Sequence, residues 1–211
     1  MLLVFAVVIF LSAGTFHYWQ AWVFLAVFGV LVTIITGYLA VSDPQLLERR
    51  VHAGPWAEKE KSQMMIQAIA QVAFLLLIMF PALDHRLAWS RMQACISLAG
   101  DGLVILGCLI VFKVFKENTF TAAIIEVSVD QKVISTGPYA IVRHPMYSGA
   151  IVMLLGVPIA LGSWWGLLAV FPVTIVIIAR LLDEEKYLVK NLPGYTEYCA
   201  RVRWHLMPGV F

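Results

Sequence analysis

Three stretches of this chain, Trp19–Val41, Met64–Leu83 and Ala94–Phe115, are predominantly apolar for 20 residues or more. A bilayer core takes about 20 helical residues to cross. Inside hydrocarbon each backbone N–H and C=O must be paired within its own segment, so such runs fold as helices. Leu2–Ala13, Pro145–Leu161 and Trp164–Leu182 extend the pattern. The chain is 61% hydrophobic and 13% charged, against about 25% charged in a soluble domain. The expected fold class is all-α: a polytopic membrane helix bundle with five or six hydrophobic segments.

Polar breaks set the boundaries. Gly14-Thr15-Phe16-His17 separates the first two segments, Ser42-Asp43-Pro44 closes the second, and Asp84-His85-Arg86 closes the third. Leu2–Ala13 is short, so it is expected to enter one leaflet or lie tilted. No Lys or Arg precedes it, which favours a retained helix over a signal peptide. The last two runs are joined only by Gly162-Ser163 and read as a C-terminal helical hairpin. Its tip carries Trp164 and Trp165, aromatics suited to a membrane interface. His17-Tyr18-Trp19-Gln20-Ala21-Trp22 reads as a second interfacial belt. Asp101 is expected near a helix start, facing water or a partner.

Charge orients the bundle. Arg49, Arg50, Lys59 and Lys61 share one side with Lys113, Lys116, Lys132, Arg143, Arg180, Lys186, Lys190, Arg201 and Arg203. Only Arg86 and Arg91 fall opposite. The positive-inside rule puts the first group in the cytoplasm, with both termini there for six crossings. In a bacterium the membrane would be the inner one. Two regions follow: transmembrane helices over 1–117, and a catalytic region over 118–211. The latter comprises the polar connection Glu117–His144, the hairpin and the tail Asn191–Phe211. Within the connection, the alternation Ile124–Val129 predicts a short extended piece and Gly137-Pro138 a turn. The tail interleaves Tyr195, Tyr198 and Trp204 with Glu197, Arg201, Arg203 and His205. That pattern predicts a surface amphipathic helix, or equally a cover for a ligand.

Ionisable groups at a membrane edge cost free energy and mark function. They gather in Arg143-His144-Pro145-Met146-Tyr147-Ser148-Gly149 and in Arg180 with Asp183-Glu184-Glu185. A residue before proline is pushed out of the helical region, and proline suits the first helical turn. His144 should therefore cap the fifth segment, beside a helix start that favours anions. Arg180 and Glu184, one helical turn apart, can pair. A tight hairpin brings these two clusters to one membrane face, a donor-rich wall opposite a carboxylate wall. Such a pocket suits a zwitterion with extra positive charge. S-adenosylmethionine fits, although the complementarity does not select it uniquely.

Other chemistries fit less well. The histidines and the three cysteines, Cys95, Cys108 and Cys199, lack metal-ligand or disulfide spacing. A triad of Ser148, His144 and Asp183 has no GxSxG elbow. No Walker or GxGxxG motif is present, and no basic tract of the nucleic-acid-binding kind. No metal and no nucleic acid are therefore expected as partners.

The run Glu117-Asn118-x-Phe120, Gln131-x-Val133, Gly137-Pro138-Tyr139, Arg143-His144-Pro145-Met146-Tyr147-x-Gly149, Arg180-x-x-x-Glu184-Glu185 and Pro193-Gly194-Tyr195-x-x-Tyr198 resembles the isoprenylcysteine carboxyl methyltransferase family in its broader bacterial-type form. Phospholipid N-methyltransferases look similar. The likeness is strong over roughly 118–211 and otherwise rests on hydropathy. It implies an integral-membrane methyltransferase that uses S-adenosylmethionine without a Rossmann domain. Its acceptor would be a lipid-like or prenylated substrate reaching the site from the bilayer, a prenylcysteine-type carboxylate among the options. Cofactor contacts implied by position are Gln131, Lys132, Val133, Ile134, Tyr139, His144, Pro145, Met146, Tyr147, Gly149 and Glu184. Arg180, Glu185 and Arg143 are the expected catalytic groups: Arg180 for the acceptor, and Glu185 or His144 as base for an amine. Membrane sterol reductases share His-Pro-x-Tyr-x-Gly, so an NADPH-dependent lipid reductase is the rival enzyme. A non-catalytic scaffold is the third reading.

Overall fold

The computed structural model describes residues 2–51, 61–121 and 131–211. The helices are α1 (Leu2–Ala13), α2 (Trp19–Ser42), α3 (Pro44–Val51), α4 (Lys61–Leu87), α5 (Ala94–Glu117), α6 (Pro145–Ala160), α7 (Val170–Asn191) and α8 (Tyr195–Arg201). The helix-bundle expectation holds. Four stretches, α2, Gln63–Leu87 of α4, α5 and Trp165–Asn191, are long and apolar enough to cross a membrane, while α1 and α6 are shorter. Their outward faces carry Val30, Ile34, Val72, Leu76, Phe171 and Ile175, all exposed. Apolar side chains so displayed are solvated by lipid rather than water. The Ile124–Val129 alternation lies outside the described residues.

Twelve residues make α1 about 18 Å long, short of a bilayer core of about 30 Å. Gly14, at φ +66°, reverses the chain into α2, and Leu2 packs against Gly29, midway along α2. The helix thus reaches half-way through the bundle. Phe5 fastens it by stacking on Phe28 at 5.7 Å and meeting Phe74 at 5.5 Å.

The tightest packing joins α5 to α6. Glycines seven apart on each helix, Gly100 and Gly107 against Gly149 and Gly156, leave the two backbones in contact. A Cβ on Gly107 would stand 2.6 Å from the Gly149 carbonyl, and one on Gly156 would stand 2.7 Å from the Gly100 carbonyl. Where lipid supplies no hydrophobic drive, such close approach is what binds helices. Asp101 lies one residue from this seam. It is buried, at 4% exposure, and neither carboxylate oxygen has a hydrogen-bond partner among the described residues. The expectation that it faces water is therefore corrected: the seam draws that turn of α5 inward.

At the far end a polar knot ties the hairpin down. Asp84 is buried and accepts from the Ser163 hydroxyl, from Ser90 Oγ at 2.6 Å and from the Ser90 amide at 2.7 Å. Tyr18 is wholly buried, stacked on His85 at 3.8 Å and donating to the Leu161 carbonyl at 2.5 Å. It is a core residue rather than part of an interfacial belt. Trp164 and Trp165 at the tip remain exposed, as interfacial aromatics do.

Two elements lie at the near end. Asp43 Oδ1 caps α3 by accepting from the Leu46 amide at 2.9 Å, and Leu46 buries against Leu39 and Phe115. The tail forms only the short helix α8, not one amphipathic helix. Beyond it the chain turns back beneath α6, where the Arg143 amide donates to the Trp204 carbonyl at 2.8 Å and the His144 amide to the His205 carbonyl at 2.9 Å. Those two amides precede the helix and would otherwise lack acceptors, so the tail pairs with them.

Candidate functional site

The site grows from the start of α6. His144 is its N-cap residue and Pro145 its first helical residue, as the His-Pro pair predicts. The first-turn N–H groups therefore point out of the helix with no intrahelical acceptor. Before it, the 3-10 turn Gly137–Ala140 begins at Gly137, whose φ of +56° suits glycine. The Tyr139 hydroxyl accepts from Asn118 Nδ2 at 3.0 Å, and its carbonyl accepts from the Tyr198 hydroxyl at 2.8 Å.

Around this corner a cleft opens, lined by Gln131, Lys132, Val133 and Ile134, by Tyr139, and by Arg143 through Tyr147; Glu184 of α7 and the α8 tyrosines Tyr195 and Tyr198 close it. Ten of the eleven sequence-derived cofactor positions meet here. The exception is Gly149. It faces α5 instead, where a Cβ would lie 2.9 Å from Ile110, so its smallness serves helix packing.

The expected carboxylate wall divides in two. Glu184 Oε2 accepts from the Tyr147 hydroxyl at 2.7 Å, and that hydroxyl in turn accepts from Arg180 Nε at 3.2 Å. Tyr147 thus stands between Arg180 and Glu184, which the sequence pairs directly. Glu185 is not a cleft residue. Its Oε1 meets Arg143 Nη1 and His144 Nε2, and its Oε2 meets His205 Nε2, each at 3.1 Å. The residue expected as a base is thus a hub that fixes Arg143 and His144.

Three participants were not among the expected site residues. Gln63 of α4 is buried, accepts from Arg180 Nη1 at 3.0 Å and donates to Asp183. Arg50 of α3 lies over the Phe115 ring at 5.1 Å, within the electrostatic reach of Tyr147, Arg180, Glu184 and Tyr139. His205 approaches Arg143 Nη2 with its Nε2 at 2.8 Å. Arg50 and Gln63 fall in segments whose sequence reads as loop charge and helix start, and only tertiary packing aims them here.

Burial dominates the electrostatics. It pushes the Tyr139 phenol up to about 12, against the Asn118 hydrogen bond, and raises Tyr195 and Tyr198 as well. These phenols stay protonated and can donate. Burial also lowers Arg50 and His205; for His205 the Glu185 carboxylate opposes it, while Arg143 and His144 reinforce it.

The donor set fits a zwitterionic cofactor. Tyr195 Oη and Arg143 Nε are buried with no hydrogen-bond partner among the described residues, and both residues line the cleft. Buried donors left unpaired cost about 1–3 kcal/mol each, a cost that a ligand acceptor removes. Glu184 supplies the opposite charge. The enclosed part of the cleft is about 100 Å³, below the usual ligand range of about 300–1,000 Å³. A nucleoside-sized ligand would extend beyond that space, and Asn118, Phe120 and Thr121 also line the cleft. Among the described residues no group of three or more His, Cys, Asp or Glu side chains could hold a metal ion.

Residues 96–193 match the model of the phospholipid methyltransferase family. The match covers a little under half of the chain. It begins inside α5, earlier than the resemblance read from motifs, and takes in the α5–α6 seam, the cleft and α7. No curated protein matches the chain. That segment is thus similar to the phospholipid methyltransferases, a family in the same superfamily as the isoprenylcysteine methyltransferases.

Proposed function

We propose that the protein transfers a methyl group from S-adenosylmethionine to a lipid-like acceptor. One observation carries the reading: a cleft with Arg143, His144 and a helix start on one wall faces Glu184, oriented by Tyr147, on the other. Bound there, S-adenosylmethionine would supply a methyl group activated by its sulfonium. Glu184 would pair with the cofactor's ammonium, while Arg143, the α6 start and the Tyr195 hydroxyl would meet its carboxylate. A sulfonium methyl needs in-line placement rather than covalent help, and such positioning can contribute about 7–11 kcal/mol.

Arg180 is not in the cleft lining but is bonded to Tyr147 and to Gln63 beside it. In this reading it orients an anionic group of the acceptor, such as a phosphate or a carboxylate. The family match favours a phospholipid, and the motif resemblance admits a prenylcysteine carboxylate. Glu185 acts by holding Arg143 and His144 in place. The catalytic region is 118–211, seated on the 1–117 helices, with Arg50 and Gln63 reaching into it from that scaffold. By the positive-inside rule its lysines and arginines favour a cytoplasmic face for the cleft.

Calorimetry on the purified protein tests the reading. S-adenosylhomocysteine should bind and NADPH should not. Binding of NADPH alone would establish the reductase, and binding of neither by folded protein the scaffold. Label from methyl-tritiated S-adenosylmethionine, offered phosphatidylethanolamine and a prenylcysteine in parallel, then identifies the acceptor.

A further inference from the structure

A second cavity, of about 650 Å³, is lined by other residues of the Gly137–Ser148 segment and shares only Pro145 with the cleft lining. Ile110 of α5, Pro138, Ile141 and Leu206 make its walls mostly apolar, and Lys113 and Lys116 stand on it from the last turns of α5. None of its lining residues comes from α4 or α7, which hold Gln63, Arg180 and Glu184. It is therefore separate from the groups assigned to the acceptor.

Depth and charge decide what fits it. The apolar run of α5 ends at Phe115, so the two lysines stand at headgroup level while Ile110 lies one to two turns deeper. Both lysines are exposed. Glu117 lines the trough as well, and its carboxylate accepts from the Thr136 hydroxyl, so the two lysines outnumber the one acid there. Lys116 extends along Phe112, its ammonium 5.9 Å from the ring centre. A trough with a cationic lip and an apolar, bilayer-depth interior matches a molecule with a phosphate above and an acyl chain below.

We propose that this trough binds one anionic phospholipid, its phosphate between Lys113 and Lys116 and an acyl chain along Ile110, Ile141 and Leu206. The lipid is not the methyl acceptor. It sits against the turn that presents Tyr139 and Arg143 to the cleft, and braces that turn from the membrane side. Each lysine near a lipid surface contributes about 1 kcal/mol toward an anionic headgroup.

Native mass spectrometry of the full chain, titrated separately with phosphatidylglycerol and phosphatidylcholine, tests this without any turnover, so it stands or falls apart from the methyltransferase reading. One phosphatidylglycerol should be retained about tenfold more tightly than phosphatidylcholine. The double variant Lys113→Gln/Lys116→Gln should lose that preference. Ile141→Trp, which fills the trough and leaves the charges, should weaken both lipids. Lys190→Gln, on α7, should change neither. Equal retention of the two lipids by the parent protein overturns the proposal, as does an unchanged preference in the double variant. Displacement of phosphatidylglycerol by millimolar inorganic phosphate would reassign the lysines to a free anion and also overturn it.

Discussion

The Tyr147 hydroxyl donates to Glu184 at 2.7 Å while accepting from Arg180 at 3.2 Å, so one phenol sets the positions of both charged groups. Tyr147→Phe keeps the ring and removes only this link. A hydrogen bond to a charged group is worth about 1.5–3 kcal/mol. kcat/KM for methyl transfer should fall roughly 10- to 100-fold, with the melting temperature almost unchanged. A variant with parental kinetics would remove Tyr147 from the mechanism.

Gln63 provides a test that separates acceptor from cofactor. Its amide joins Arg180 to Asp183 from α4, none of whose described residues lines the cleft. In Gln63→Leu the guanidinium loses one of its anchors. The acceptor KM should rise about tenfold, the range of a lost charge-assisted bond. The Kd for S-adenosylhomocysteine should stay as it is. A parallel loss of both affinities would show a general collapse instead.

Acid should loosen the tail. Burial holds His205 below its ordinary value despite the Glu185 carboxylate. Above about pH 6.5, the unfolded value, its contribution to stability is complete. That contribution is lost as pH falls through the lower folded value, because there the open tail binds a proton the docked tail refuses. Protection of the Arg143 and His144 amides, which donate to Trp204 and His205 carbonyls, should fall in that window once exchange rates are corrected for the intrinsic pH dependence. In His205→Phe this step should flatten.

The α5–α6 seam predicts opposite outcomes at two glycines two residues apart. A Cβ on Gly100 would stand 2.2 Å from the Ala160 amide nitrogen, so Gly100→Ala must separate the helices. Overpacking of this kind costs about 1–3 kcal/mol or more. Gly102 has nothing within 4 Å of such a Cβ, and Gly102→Ala should gain up to about 1 kcal/mol of helix propensity. Thermal unfolding in detergent distinguishes them, and equal effects would contradict the seam.

Where local rules act, the sequence is a good guide. His144-Pro145 does start a helix, Gly137 does turn, and the apolar runs are helices whose boundaries fall near the polar breaks. Much of the cleft lining was legible because the family resemblance carries over residue by residue through 131–147, with Glu184 one hairpin away. What escaped depends on rotation about helix axes and on distant partners. Gly149 and Glu185 sit in the right motifs, yet the seam turns one toward α5 and Arg143, His144 and His205 claim the other. Gln63, Arg50 and the returning tail belong to no local pattern. Their placement comes from tertiary packing, as does the burial of Tyr18 and Asp101.

The glycine seam also determines where the protein can breathe. Two backbones in direct contact over two helical repeats leave no side chains to swing aside, so a lipid tail cannot pass between α5 and α6. Those helices behave as a fixed doorpost. Whatever opening admits a molecule from the bilayer lies at another joint of the bundle.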